Sequence, residues 1–355
     1  MEESEMKKHI TVAGPFQGKI TGAHFLNMGV GSSIARIFPQ KEVRLKAKIQ
    51  LLLPGVAATM LVILFGCTQT VKVGNYTKSV AQTRAGQIEY TLRGQGPVVL
   101  KLTGSMEDCE SPGGSAAMLG AGFSILTPSR PGYGETPLSV GRTAPEAADA
   151  MVSLMDKLGI SNVDVIAESA GGPTALYLAA RHPERVHKLI LEEAVSKYAK
   201  DLNPQNYKTV QNFYTSQYWY TCPMLKMMAK VAPKKLALVT MKIFGAHNPD
   251  EAVKEMSKAD IDGLCDFYLR WKGSWNKAAS NDLEQRTEDS VLDSIKAPTL
   301  IVHSREDGSV PFGSAEYSHA HIAGSELWES PTWSHMTVGH AADKVDSKVV
   351  EFLKK

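Results

Sequence analysis

Residues Val163-Asp164-Val165-Ile166-Ala167 form an apolar, β-branched run that passes without a break into Glu168-Ser169-Ala170-Gly171-Gly172. Pro173-Thr174-Ala175-Leu176-Tyr177-Leu178-Ala179-Ala180 follows with helical composition. A strand over 163–168 that turns directly into a helix over 173–182 is so tight that only small residues fit beside the turn, which is why Ala167 and Gly171 bracket Ser169. The turn strains the serine backbone and leaves its hydroxyl exposed at the strand tip. Small-x-Ser-x-Gly is a weak pattern alone; its place between a strand and a helix makes Ser169 a nucleophile candidate.

The flanking chain alternates in the same way. A hairpin is predicted over 81–94, buried strands over 97–104 and 123–128 with a short helix around 115–119 between them, then a helix over 145–158 and a strand over 187–191. Strands and helices in turn imply parallel βαβ units, and so an α/β fold: a mostly parallel central sheet with helices on both faces. From about Ser196 to Ser294 the alternation stops, and Tyr207, Phe213, Tyr218, Trp219, Tyr220, Met224, Met227, Met228 and Met241 accumulate. These side chains are expected to form a packed helical core, some of them lining an apolar substrate pocket. Pro298-Thr299-Leu300-Ile301-Val302-His303 resumes a strand, and a helix over 313–321, a strand over 326–329 and a helix over 343–354 complete the pattern. The chain thus divides into an N-terminal segment (1–67), a first part of the sheet (68–195), an inserted helical cap (196–296) and a second part of the sheet (297–355).

Charge narrows the function. The 39 Lys/Arg and 37 Asp/Glu give +2, yet residues 1–66 hold eight basic against four acidic residues, so the remainder carries 31 against 33 and is slightly acidic. No basic stripe remains for a nucleic acid. Cys67, Cys109, Cys222 and Cys265 show neither CxxC nor a metal-ligand spacing. His319 and His321 are two apart, which does not place them on one helix face, His182 and His187 flank a turn, and there is no phosphate-binding glycine motif or internal repeat. No metal or cofactor is called for.

The N-terminus carries a different signal. Residues 1–43 lack periodicity and are expected to be poorly ordered; then Arg44, Lys46 and Lys48 precede the uncharged run 51–66, which ends at Cys67. The run is short of the ~20 residues of a comfortable membrane span but suits a signal-peptide core. Leu64-Phe65-Gly66-Cys67 resembles a bacterial lipobox, which implies a lipidated Cys67 and an envelope or extracellular, membrane-associated protein, with an internal start such as Met28 or an uncleaved signal anchor as alternatives.

Elbow, strand order and cap together resemble the α/β-hydrolase family over roughly residues 80–355. Ser129-Arg130-Pro131-Gly132-Tyr133-Gly134-Glu135-Thr136 is similar to the family's Asp-Arg-Pro-Gly-x-Gly-x-Ser with Ser129 in the Asp position, and Thr103-Gly104 stands where the family has His-Gly. The resemblance implies oxyanion donors at the backbone N–H groups of Ala170 and Ser105, with Met106 as neighbour. It also implies a Ser, acid, His order. Ser304-Arg305-Glu306-Asp307-Gly308-Ser309-Val310-Pro311 is similar to the acid loop and gives Asp307, with Glu306 and Glu193 as fallbacks that otherwise belong on the solvated surface. His335 is favoured over His340 as base, because Phe352-Leu353 closes a final helix about 17 residues beyond His335 and only about 12 beyond His340. The implied enzyme is a serine hydrolase acting on an apolar small-molecule ester or related acyl bond; a C–C hydrolase or perhydrolase on the same triad, and a non-catalytic binding protein of this fold, are the alternatives. Ser169 argues against the dehalogenase and epoxide-hydrolase branches, which use Asp there.

Overall fold

The computed structural model describes residues 78–111, 115–197, 199–202, 204–246, 248–338 and 341–355. The segment 1–67, with Cys67, and His340 lie outside the described residues. Alternating side chains build β1 (Ser79–Thr83) and β2 (Gly86–Arg93) into a hairpin whose turn uses Gly86 at φ 123°. Then come β3 (Val98–Leu102), α1 (Ser115–Gly120), β4 (Ser124–Pro128), α2 (Ala144–Leu158), β5 (Val163–Glu168), α3 (Gly172–Arg181) and β6 (Val186–Glu192). Helix α2 starts where it does because Thr143 and Glu146 form a capping box, and it stops at Gly159, which takes φ 70°.

The strands order as β1-β2-β4-β3-β5-β6-β7-β8, with β7 at Thr299–His303 and β8 at Glu326–Glu329. β1 and β2 run antiparallel to their neighbours, and the pairs from β4 to β8 are parallel. From β3 the chain moves one way to β4 and the other way to β5, so a crevice opens beyond the carboxyl ends of β3 and β5, where ligands bind in open α/β sheets.

Each face of the sheet is covered by its own core. Leu100, Leu102, Val165, Ala167, Leu189 and Leu191 meet Met151, Leu154 and Met155 of α2 and Ala175, Leu176 and Ala179 of α3. On the other face Val99, Ile166, Ile190, Leu300 and Val302 meet Met118 of α1 and Val345, Val349, Phe352 and Leu353 of the last helix. Each such side chain contributes about 1.5–3 kcal/mol through burial, and truncating the fully buried Leu176 to Ala would cost about 2–5 kcal/mol.

Between β6 and β7 the chain is helical: α4 (Ala199–Leu202), α5 (Pro204–Asn212), a π turn at Phe213–Gln217, α6 (Tyr218–Val231), α7 (Pro233–Ile243), α8 (Pro249–Glu255), α9 (Lys258–Arg270), α10 (Asn276–Leu283) and α11 (Asp289–Asp293). Their core gathers Tyr218, Leu225, Met241, Tyr268, Trp271 and Trp275, with Met228 half-buried against it. Trp219, Tyr220 and Met224 depart from the expected packed interior and face outward. Helices α12 (Gly313–His321) and α13 (Ala342–Lys354) complete the chain.

Candidate active site

Ser169 is held at φ +48° at the tip of β5, a conformation an L-residue keeps only when its surroundings leave no alternative. A Cβ on Gly171 would lie 2.4 Å from the Leu102 carbonyl oxygen, and one on Gly172 would lie 2.1 Å from that of Val195. The Ser169 carbonyl accepts the Val195 N–H at 2.9 Å, which closes the turn against the loop after β6. Among the described residues the positive-φ positions other than glycine are Met106, Ser169 and Glu193. They follow β3, β5 and β6, three adjacent strands, so the strain is gathered at one end of the sheet.

The candidate acid comes from the loop after β7. Asp307 Oδ1 accepts the backbone N–H groups of Ser309 (2.7 Å) and Val310 (2.8 Å), which leaves Oδ2 for His335 Nδ1 at 2.7 Å. Because a carboxylate only accepts, Nδ1 carries the proton; His335 Nε2 is then the acceptor for the Ser169 hydroxyl at 2.9 Å. Burial alone would raise the Asp307 pKa, but His335 and His303 beside it hold it well below the usual carboxylate range. Burial would lower that of His335, and Asp307 more than offsets this, so its pKa stands above 6.5. Glu306, the adjacent fallback, is exposed.

Glu193 corrects the sequence reading, which put it in solvent. It is 3% exposed, and its carboxylate accepts the Ser304 N–H at 3.0 and 3.1 Å, a donor at the end of the neighbouring strand. Burial, then Asp307, pushes its pKa well above the carboxylate range. His303 lies between them: Nε2 sits 2.8 Å from the Val310 carbonyl oxygen, 3.4 Å from Asp307 and 3.5 Å from Glu193.

Opposite the serine stands the loop after β3. A Cβ on Gly104 would be 3.2 Å from Ser169 Cβ and 3.8 Å from its Oγ, so this position passes directly over the hydroxyl. The Gly104 N–H donates to Glu107 Oε2 (2.9 Å). Arg130 donates from Nε to the Thr103 carbonyl (2.7 Å) and from Nη2 to the Gly104 carbonyl (2.9 Å). It is fixed in turn by the two oxygens of Asp282 on α10, at 2.8 and 2.9 Å, and Asp282 also accepts the hydroxyls of Tyr133 and Ser105, both at 2.7 Å. Arg130, 4% exposed, therefore braces this loop; Thr103 Oγ1 is buried without a hydrogen-bond partner among the described residues.

The end of α7 ties the two catalytic loops together. The Phe244 carbonyl accepts both the Gly308 N–H (3.2 Å) and the His335 N–H (3.3 Å), and its ring stacks on the His335 imidazole with centroids 5.7 Å apart. Gly245 and Gly308 touch backbone to backbone: a Cβ on Gly245 would be 2.3 Å from Gly308 Cα.

The alpha/beta hydrolase fold family matches over residues 102–220. An uncharacterized hydrolase of Bacillus subtilis, YcgS, is 31% identical over 279 residues, 76% of this chain and 95% of that protein. The chain belongs to the α/β-hydrolase family. Two relatives with named activities are similar to this α/β hydrolase at lower identity. A pimeloyl-[acyl-carrier protein] methyl ester esterase of Neisseria meningitidis is 28% identical over 56% of this chain and 70% of its own length. A 2-hydroxy-6-oxononadienedioate/2-hydroxy-6-oxononatrienedioate hydrolase of Pseudomonas putida is 25% identical over 67% of this chain and 79% of its own. The chain is an enzyme, a hydrolase, and the binding-protein alternative is set aside.

In this α/β hydrolase the Asp that the family has at position 129 is replaced by a pair: Ser129 Oγ donates to Glu89 Oε2 at 2.5 Å, so the carboxylate comes from β2. Behind the elbow the fully buried Lys101 of β3 pairs with Glu168 at 2.9 Å. Burial, then Glu168, pushes Glu107 to about 7 and Glu192 to about 8. The sequence reading missed Lys101, Glu107, Arg130 and Asp282; charges in an apolar strand and in a tight loop were the available signal.

Proposed function

We propose that the protein is a serine hydrolase that cleaves a carboxylic ester or related acyl bond of an apolar small molecule through an acyl-enzyme. The observation that carries the proposal is the unbroken hydrogen-bond line from Ser169 through His335 to Asp307. Ser169 Oγ attacks the acyl carbon as His335 Nε2 takes its proton, and the oxyanion forms beside the N–H groups of Ala170 and Ser105. Collapse of this intermediate breaks the bond to the leaving group, which takes the proton from His335. Water then repeats the sequence and releases the acid. In this reading helices α4 to α11 act as a cap whose shape selects the substrate.

A fluorophosphonate should label the protein on Ser169, and Ser169→Ala should lose labelling and ester turnover while melting at the same temperature. Labelling that persists in that variant would refute the assignment. The Pseudomonas relative supports a second reading, carbon–carbon bond hydrolysis on the same triad. Turnover of 2-hydroxy-6-oxononadienedioate well above that of simple esters would favour it. We also propose that residues 51–67 attach the chain to a membrane, by lipidation of Cys67 or as an anchor. Intact mass decides between the two, and a soluble full-length cytosolic product refutes both. Among the described residues no helix is long and apolar enough to cross a membrane.

A further inference from the structure

Helix α6 is apolar on both sides. Its inner side buries Tyr218, Cys222, Leu225 and Ala229 among the other helices. At about 100° per residue, positions 219, 220, 223, 224, 227 and 231 fall within a roughly 140° arc on the opposite side. They are Trp219, Tyr220, Pro223, Met224, Met227 and Val231. Trp219 is 76% exposed, Val231 57%, Met224 44% and Tyr220 43%. Single exposed apolar residues are ordinary, whereas one contiguous stripe along a helix marks an interaction surface.

Charge identifies what the stripe meets. Between Asp201 and Asp250 the chain has no acidic residue and six lysines, although the remainder of the protein outside residues 1–66 is slightly acidic. Lys226 lies at the edge of this arc, Lys230 stands exposed within it between Trp219 and Pro223, and Lys234 and Lys235 stand exposed at the start of α7 where the stripe ends. A second copy of the chain on this face would bring lysines against lysines with no carboxylate in the segment to answer them. Apolar side chains flanked by Trp, Tyr and Lys match a bilayer interface, where the stripe enters the acyl boundary and the ammonium groups stay among anionic headgroups.

We infer that the outer face of α6, with Lys230, Lys234 and Lys235, is a docking surface for an anionic lipid bilayer. It is independent of residues 51–67 and of the catalytic proposal.

Trp219 reports on it directly, because Trp271 and Trp275 are buried and Trp328 and Trp333 half-buried. The full chain is mixed with vesicles of phosphatidylcholine alone, or with added phosphatidylglycerol, some carrying acyl-chain bromines. Anionic vesicles should shift tryptophan emission to the blue and brominated chains should quench it; Trp219→Phe should lose both effects. Lys230→Glu, Lys234→Glu and Lys235→Glu together should weaken this contact at least ~10-fold, and salt should act in the same direction. Quenching equal in the wild type and Trp219→Phe would place the contact elsewhere, on residues 51–67 for instance, and overturn the inference. Equal effects on neutral vesicles would overturn the role of charge. A blue shift that grows with protein concentration without lipid would assign the stripe to a second copy. A shift produced by polyglutamate, with no quenching by brominated chains, would assign it to an acidic protein.

Discussion

The two walls of the active site are built in opposite ways. The wall that carries Ser169, Asp307 and His335 is shaped largely within its own loops, by a turn that only glycine permits at 171 and 172 and a carboxylate satisfied by main-chain donors two and three residues away, with the Phe244 carbonyl tying two of those loops. The facing loop, Thr103 to Met106, is held from a distance by Arg130, whose partner Asp282 lies 152 residues further along the chain. Local geometry repeats wherever the local sequence repeats. A long-range brace belongs to one fold with one particular cap.

The largest expected effects test the first wall. Ser169→Ala or His335→Ala should lower kcat about 10⁶-fold, and Asp307→Asn about 10⁴-fold, while His340→Ala changes little; single-turnover assays on an activated ester measure all four. The reverse pattern for His335 and His340 would move the base. The pH dependence carries a sign. His335 must be neutral to accept the proton, and Asp307 holds its pKa above 6.5, so the acid limb of kcat/KM should have its midpoint above pH 6.5. In Asp307→Asn the largest interaction opposing burial is removed, with only the weaker pull of Glu107 and Glu168 left, and the limb should move to lower pH.

Stability follows the same two shifts through separate windows. The contribution of His335, whose folded pKa is raised, is complete below pH 6.5 and fades as pH climbs through the folded value. That of Asp307, whose folded pKa is depressed, is complete above about 3.8 and fades only in stronger acid. Chemical denaturation across pH separates them, and a single window common to both would contradict the shifts.

The second wall should yield smaller losses of a different kind. Asp282→Asn keeps the shape of the side chain but not its charge, and should lower kcat by about 10- to 10³-fold, the range in which oxyanion donors act, without moving the acid limb. A limb that moves with Asp282 would mean the two walls are electrically one unit. Arg130→Met should lose as much activity and also cost about 3–5 kcal/mol of stability, since it strands a buried carboxylate. Thr103→Val is the smallest change: its hydroxyl is buried without a partner among the described residues, so activity should stay within about twofold and stability should hold or rise by up to about 1 kcal/mol. A large loss there would show that the Thr103 hydroxyl, and not Arg130 alone, holds this loop.

The same contrast explains what the sequence made legible. Short apolar runs bounded by turns set the strands from 79 to 192 to within a residue or two, because each is a local pattern. Ser169 stood out by its strand-to-helix turn, Asp307 by the resemblance of 304–311 to the family's acid loop and His335 by its spacing from the final helix, and the structure brings the three within hydrogen-bond reach. Asp282 sits in Asn-Lys-Ala-Ala-Ser-Asn-Asp-Leu, a polar helix where any carboxylate reads as solvated, and although Arg130 stands in the family-like stretch 129–136, nothing there names its partner. Glu193 misled for the same reason: its donor, Ser304, is adjacent only once β6 and β7 pair. Trp219 and Met224 misled because composition reports that a side chain is apolar, and only the helix phase reports which way it faces.

The Phe244 carbonyl, just past α7, holds the loops of Asp307 and His335 at once. Caps of this kind invite treatment as exchangeable parts, to be grafted from one sheet to another in search of a new substrate. Here a graft that cut between β6 and β7 would also remove the acceptor shared by Gly308 and His335 and the glycine that lets the two backbones touch. Residues 244–246 therefore belong with the loops of Asp307 and His335 rather than with the helices that precede and follow them. A swap that preserves them has helices α8 to α10 free to vary, apart from Asp282, whereas one that discards them should lose the base along with the old pocket.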